Sequence, residues 1–362
     1  VNHYWFVMVL PTKFIVTGGV MKSKDHSIAI PEKKISMAEI AVMADVSIAT
    51  VSRVLNKNGR YSAETEQKVM KIVEKYGYQI NQSAKSLRTS KTNSIGVIVP
   101  DITNEFFANI VRAIEKYAVP EGYTVFVCDS DENSHMEDLH ISSLVSRDVD
   151  GIIYISVKED VKKIYEDYKI PVVYIDRRPE NAGTLVISDN ESGGFLATEE
   201  LIMKGCRNIV ALKDKQNFST VRHRFSGYLK ALNKYSIPVK DQFIIKTNVT
   251  YYDSKNAMLD FINKGYEFDG IFANNDIMAI GALHALRENN IKVPDDVKIV
   301  GFDGTSLSEI CDPPITTIIQ DFDKIGQRSV ELLFDLIDDV KLSTVDYIIP
   351  VKIACRKSTS CN

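Results

Sequence analysis

From residue 94 onward the chain alternates short apolar runs with amphipathic ones, and this alternation narrows the possible folds more than any other feature. The runs "IGVIVP" (95–100), "YTVFVCD" (123–129), "GIIYIS" (151–156), "VVYIDR" (172–177), "NIVALK" (208–213), "GIFANND" (270–276) and "KIVGFDG" (298–304) have strand length. Between them lie helical patterns such as "FFANIVRAIEKYA", "SGGFLATEELIMKG" and "DIMAIGALHALRENN". Strands apolar on both faces and separated by helices must be covered on both faces, so the body reads as a doubly wound, parallel α/β structure. Ligands of such sheets sit beyond the carboxyl ends of the strands. Polar residues cluster at those ends: Asn104, Asp176 with Arg177, Asn275 with Asp276, and Asp303.

The front of the chain has another pattern. Residues 36–44 and 47–56 read as two short helices across a tight turn, with Ile40, Ala41, Ala44, Val46, Val51 and Val54 as their apolar set. Ala41 is small where the helices cross, and Ser47 is a ready N-cap. A third helix is expected over 63–76, capped by Ser62, with Val69, Ile72, Val73 and Tyr76 at helical spacing. The second helix hides Val51, Val54 and Leu55 and shows Thr50, Ser52, Arg53 and Asn56 to solvent. Such a face suits a DNA groove. Arg53 can give two hydrogen bonds to a guanine edge or clamp a phosphate, and Ser47, Thr50, Ser52 and Asn56 suit phosphate oxygens. Charge agrees: residues 33–91 hold 11 Lys and Arg against 5 Asp and Glu, a balance of +6 in a chain of net −4. Residues 1–32 carry +1, so the rest carries −11. A basic module ahead of an acidic body points to a polyanion partner for the front end.

A length of 362 residues suits two or three domains. No run of 18 apolar residues exists for a membrane span. The five cysteines (Cys128, Cys206, Cys311, Cys355, Cys361) form no C-x-x-C pair and read as reduced thiols of a cytosolic protein. Residues 1–34 read as disordered or as translated leader. Met21 opens a natural polar start, and Gly18-Gly19 could be encoded by a ribosome-binding sequence just upstream of its codon. An enzyme finds little support: "DSDENSHMEDLH" (129–140) has no H-E-x-x-H spacing, and neither a P-loop nor a G-x-S-x-G elbow occurs. A transport binding protein would lack the DNA module and carry an export signal.

These pieces together resemble the lactose-repressor family of bacterial transcription regulators. The matching stretches are "MAEIAVMADVSIATVSRVLN", "GVIVPDITNEFF", "DGII", "IDRR", "IFANNDIMAIGAL", "VPDDVKIVGFDG" and "PPITTIIQDFDKIGQ", spread over roughly residues 35–358. Ribose-operon-type repressors are the nearest likeness, and the body also resembles periplasmic ribose-binding proteins at "NEFF", "FANNDIMAIGAL" and "GFDGT". The resemblance implies an all-α helix-turn-helix headpiece plus an α/β periplasmic-binding-protein-like (type I) two-lobed core with parallel sheets. The expected divisions are a DNA-binding domain at 35–79, a hinge helix and linker at 80–93, an effector-binding and dimerisation core at 94–358, and a tail at 359–362.

In the family, positions matching Ile48, Ala49 and Arg53 meet base edges; here Ile48 and Ala49 could touch only thymine methyl groups. A hinge helix over residues 81–88 would bring Asn81 to DNA and wedge Leu87 into the minor groove. Two departures stand out: Ile80 replaces the usual proline, and Asp45 the usual turn glycine, which Asp tolerates because it visits positive φ more readily than most residues. The ribose-type pocket carries over as Asn104, Phe106, Phe107, Asp176, Arg177, Arg224, Tyr252, Asn275, Asp303 and Gln320, with only Tyr252 changed in type. The same resemblance implies a homodimeric, cytoplasmic repressor, associated with the nucleoid. It would hold a pseudo-palindromic double-stranded DNA operator and be released by a small sugar, D-ribose first. No cofactor, metal or membrane is implied. A sucrose-operon-type repressor and a global catabolite regulator answering to a phosphoprotein remain open at this point.

Overall fold

The computed structural model describes residues 35–78, 91–157, 164–179, 183–340 and 346–360. The chain divides into two compact units, Val1–Asn81 and Gln82–Asn362. The expected leader, the hinge helix over 81–88 with Asn81 and Leu87, Ile80 before it, and Cys361 lie outside the described residues.

The first unit contains α1 (Met37–Ala44), α2 (Ile48–Leu55) and α3 (Ala63–Tyr76). Each starts at a serine whose hydroxyl accepts a backbone N–H that the helix leaves unpaired: Ser36 from Glu39, Ser47 from Thr50, Ser62 from Thr65. At α1 the Glu39 carboxylate returns the bond to the Ser36 N–H at 2.7 Å, a capping box. Asp45 ends α1 at φ 54, and Val46 N–H reaches back to the Ala41 carbonyl at 3.0 Å. Ile40, Val51 and Val69 are fully buried, joined by Ala41, Ala44 and Val54, while Leu55 is only half-buried at the margin.

The second unit holds two six-stranded sheets, one per lobe. The first runs in the order β11-β5-β4-β3-β1-β2. Its strands are β1 (Ser94–Val99), β2 (Thr124–Asp129), β3 (Gly151–Tyr154), β4 (Val172–Ile175), β5 (Thr184–Ser188) and β11 (Asp346–Ile349). The second runs β12-β10-β9-β8-β6-β7. Its strands are β6 (Ile209–Asp214), β7 (Ile244–Thr247), β8 (Gly270–Ala273), β9 (Lys298–Asp303), β10 (Thr316–Ile319) and β12 (Lys352–Ala354). The chain passes between the lobes three times: after β5, after β10, and between β11 and β12. Helices cover both faces of each sheet, and β1, β3, β4, β5 and β8 are buried throughout.

The sheets are parallel as expected, with one antiparallel pair among the described strands, β12 with β10. The last crossover delivers the chain to an edge, where a short antiparallel strand closes an otherwise parallel sheet. Among the described residues no helix is long and apolar enough to cross a membrane.

Candidate functional site

In the first unit, α2 presents Ser47, Ile48, Ala49 and Arg53 as exposed residues, with Thr50, Ser52 and Asn56 half-buried beside them. Ile48 is 53% exposed on this face. The aliphatic stem of Arg53 runs alongside Gly59, whose φ of +80° turns the chain away and leaves only 3.2 Å between the Arg53 Cδ and the place of a Cβ. Ser47 and Asn56 have local duties as well. Ser47 Oγ lies 2.9 Å from Thr50 Oγ1, and the Asn56 amide donates to the Ser52 carbonyl at 2.7 Å, holding the two ends of the face in register.

In the second unit, most of the expected effector residues converge where the strands end. β4 leads into a tight turn in which Asp176 takes φ 63 and the Arg177 N–H donates to the Ile175 carbonyl at 2.7 Å, closing a γ-turn. The turn aims both side chains into the space between the lobes. The Arg177 guanidinium lies 3.9 Å over the Phe218 ring and 5.8 Å from the centre of the Phe107 ring. Phe107 packs edge-on against Phe106 at 5.1 Å, and both are buried.

Arg224 comes from the helix Ser219–Lys234, which meets the helix Asn190–Met203 backbone to backbone. A Cβ on Gly194 would stand 2.0 Å from the Arg224 carbonyl, and one on Gly227 would stand 2.2 Å from the Glu191 carbonyl, so only glycine permits this approach. The close crossing sets Arg224 Nε 2.7 Å from Asn190 Oδ1, with NH1 donating to the Asn274 carbonyl at 2.7 Å. NH1 also lies 3.3 Å from Asp303 Oδ1, and the guanidinium stacks 3.8 Å over Phe302. Asp303, at φ 113 on the end of β9, accepts from Gln320 Nε2 at 2.7 Å. Positive φ at two aspartates facing one cleft is strain concentrated at a site. Three buried polar atoms there have no protein partner: Asp176 Oδ1, Arg177 NH1 and Gln320 Oε1.

Asn104 and Asn275 stand at the edge of this cluster as helix caps. Asn104 Oδ1 accepts from the Phe106 N–H at 3.0 Å, and Asn275 Oδ1 from the Met278 N–H at 3.0 Å. Asp276 is fully engaged elsewhere, accepting from Thr305 and Thr317. Tyr252 is the one expected pocket residue that the structure removes. It is 73% exposed, because the Thr250 cap starts the helix Tyr251–Asn263 in a register that turns Tyr251 inward against His284 and Tyr252 outward. Glu132, Asn190 and Phe218 join the cluster unannounced by any local pattern in the sequence, and Asn274 joins through its carbonyl beside the expected Asn275. Hydrogen bonds also tie the lobes together, one of them from the Arg178 N–H to Ser219 Oγ at 2.9 Å. Ser306 donates through N–H and Oγ to the two Glu105 carboxylate oxygens at 2.9 and 3.0 Å, and Gln216 Nε2 lies 3.4 Å from Glu132 Oε2.

Burial dominates the electrostatics. It pushes the Asp303 carboxyl up to about 8 against the pull of Arg224, with the Asp276 and Asp176 carboxylates pushing the same way. Burial likewise raises Asp176, opposed by Arg224 and Arg177, and raises Asp276 to about 6. A carboxyl raised in the folded state holds a proton that the unfolded chain has lost, so stability falls as pH climbs between the unfolded and folded values. For Asp303 that window runs from the ordinary 3.8 to about 8. The ligand-free core is therefore expected to lose stability from pH 5.5 to 7.5, at up to about 1.4 kcal/mol per pH unit for one proton. Thermal midpoints at those pH values check this, and Asp303→Asn should flatten the slope. A wild-type midpoint that rises over the same range would contradict it.

The two units have separate counterparts among known proteins. "Bacterial regulatory proteins, lacI family" matches residues 36–81, and "Periplasmic binding proteins and sugar binding domain of LacI family" matches residues 92–357. The chain belongs to the LacI family of bacterial transcription regulators. It is 33% identical over 324 residues to the ribose operon repressor of Halalkalibacterium halodurans, covering 90% of this chain and 97% of that one. The structure of the Lac repressor dimer bound to operator and the anti-inducer ONPF matches with a TM-score of 0.80 at 26% identity, over 91% of this chain and all of that one. A LacI-family regulator from Enterococcus faecium with bound ribose matches with a TM-score of 0.66 at 29% identity, over 74% of this chain and 98% of that one. These relatives are transcriptional regulators, not enzymes.

Proposed function

We propose that this regulator is a homodimeric repressor of a sugar-utilisation operon, and that a monosaccharide, D-ribose first, releases it from a pseudo-palindromic operator in the cytoplasm. One observation carries the sugar reading. Asp176 Oδ1, Arg177 NH1 and Gln320 Oε1 are buried in the cleft with no protein partner. Leaving such groups unpaired costs about 1–3 kcal/mol each, more when charged, so the cleft is built for a polar ligand. Two of the three are acceptors, which hydroxyl groups satisfy. Phe106, Phe107 and Phe218 supply apolar surface for the C–H faces of a small ring. Likeness to a ribose operon repressor and to a regulator with bound ribose makes ribose the first candidate.

On this reading Asn104, Phe106, Phe107, Asp176, Arg177, Arg224, Asn275, Asp303 and Gln320 form the effector site. Ser47, Ile48, Ala49, Thr50, Ser52 and Arg53, with Asn56, form the DNA face, and Asn81 and Leu87 belong to a hinge over 80–93. A sugar bridging the lobes would stabilise one interlobe arrangement and thereby weaken the DNA-bound form, and coupling of this kind is typically worth about 5–150-fold in affinity.

The test is fluorescence anisotropy of a labelled operator with full-length protein, titrated with a panel of pentoses and hexoses. D-ribose is expected to lower operator affinity within that range. Tighter binding would make the sugar a corepressor. Indifference to every simple sugar would overturn the reading.

A further inference from the structure

We propose that Phe218 sets the size limit of the cleft: its ring closes one flank between the lobes, so that the site admits a single sugar ring and excludes a sugar carrying a second one. The inference rests on the monosaccharide reading above and deepens it.

The stretch 216–219 of the second lobe forms a seam with the first. Gln216 Nε2 approaches Glu132 Oε2 at 3.4 Å, the Arg177 guanidinium lies 3.9 Å over the Phe218 ring, and Ser219 Oγ accepts from the Arg178 N–H at 2.9 Å. The same guanidinium lies 5.8 Å from the centre of the Phe107 ring, so it sits between an aromatic ring from each lobe. Phe218 and Arg177 are both buried there.

Phe218 is poorly suited to its own helix. It stands at the N-cap of Ser219–Lys234 and makes no side-chain cap bond. Ser, Thr, Asp or Asn would accept an N–H that the helix leaves unpaired. The helices Asn190–Met203, Tyr251–Asn263 and Asp276–Glu288 of the same lobe do carry such caps, from Asp189, Thr250 and Asn275. A local rule broken at a residue that faces a ligand cleft marks a site where function decides the side chain.

The opposite flank is closed as well. Ser306 donates to Glu105, which opens a helix packed on the face of the first sheet that also holds Ile325 and Val330. Glu132 precedes the helix Ser134–Ser146, whose Ile141 and Leu144 pack on the other face. In the second lobe Ser306 leads toward the core of Met278 and Leu283, and Phe218 toward that of Tyr228 and Ala231. The lobes are therefore bonded to each other on both faces of the sheets. Phe107, Asp176, Arg177, Phe218, Arg224 and Asp303 are each more than nine-tenths buried between these closures, so no open end runs on from the cleft for a second ring.

Calorimetry of the full-length protein compares D-ribose with ribose bearing a benzyl group at O1, O3 or O5, which places a second ring on each side of the sugar in turn. The wild type should bind every derivative at least about 100-fold more weakly than D-ribose, because the closed flank rejects the added ring. Phe218→Ser opens that flank and supplies the missing helix cap, so the variant should fold. For at least one derivative its affinity ratio to D-ribose should shrink by about tenfold or more. Phe218→Leu, with a smaller apolar side chain, should move the ratio the same way by less. Thermal melting of each variant confirms that it is folded. A wild type that takes a benzyl derivative as tightly as D-ribose overturns the proposal and leaves the sugar-operon reading standing. Ratios that neither substitution moves overturn it too. Binding of neither D-ribose nor its derivatives overturns the ribose reading, and this proposal with it.

Discussion

Raising monovalent salt from 50 to 200 mM is expected to weaken operator binding roughly 10³–10⁵-fold, the response of a protein that neutralises about 6–10 phosphates. The charge for this is concentrated in the segment 33–91, with its excess of six positive charges. The remainder of the chain is acidic and would repel DNA. Two headpieces on one duplex would bring twelve excess charges, twice the six of one segment, enough to supply that number of contacts. Arg53 separates the two components of binding. It is exposed on α2 with its stem laid against Gly59, so Arg53→Ala removes a guanidinium without opening the core. If it reads a guanine, the loss is about 1–3 kcal/mol on the operator and specificity relaxes there. If it clamps a phosphate, affinity falls uniformly across sequences and the salt slope drops by about one. Mobility shifts at several salt concentrations, on operator and on random duplex, distinguish the two. A response flat in salt would overturn the assignment of α2 to a DNA groove.

Legibility from sequence tracks the range of the interactions involved. The headpiece depends on contacts a few residues apart. Ser47 and Ser62 are caps because a serine hydroxyl reaches the third N–H after it, and Ile40, Val51 and Val69 are core because helical spacing puts them on one face. Asp45 is readable as the left-handed turn for the same local reason. The strands made of unbroken apolar runs are equally plain, even where, as in β3, β4 and β8, they are only four residues long. β5, β7, β10, β11 and β12 escape detection, because Thr, Ser, Lys or Asp interrupts runs of three to five residues. Their place comes from pairing with distant partners.

The effector cluster divides along the same line. Asp176, Arg177 and Asp303 stand at the ends of recognisable strands. Asn274 stands at the end of β8 beside Asn275, whereas Asn190 meets Arg224 only because two helices cross at Gly194 and Gly227, and Glu132 joins because a loop turns back on Pro100. Tyr252 misses the pocket by one residue of helix register, which the Thr250 cap decides.

Arg224→Met is expected to abolish effector response, with affinity for D-ribose falling at least about 10³-fold, since charged hydrogen bonds contribute about 1.5–3 kcal/mol each. The guanidinium joins three elements at once: Asn190 on one helix, the Asn274 carbonyl after β8, and Asp303 at the end of β9. Methionine fills much of the volume over Phe302 but leaves Asn190 Oδ1, the Asn274 carbonyl and Asp303 without their buried donor. Each orphaned buried acceptor costs about 1–3 kcal/mol, so the variant core should also melt earlier. Asp303→Asn acts differently. It keeps the shape of a carboxyl that burial holds protonated at neutral pH, so the core should hold its stability while sugar recognition falls. In the double variant stability should stay near that of Arg224→Met, with binding still lost. Chemical denaturation and calorimetry on the four proteins of this cycle separate the structural share of the pair from its share in recognition. If Arg224→Met is folded and still binds D-ribose within tenfold of the wild type, the sugar does not rest on this arginine and the cleft assignment fails.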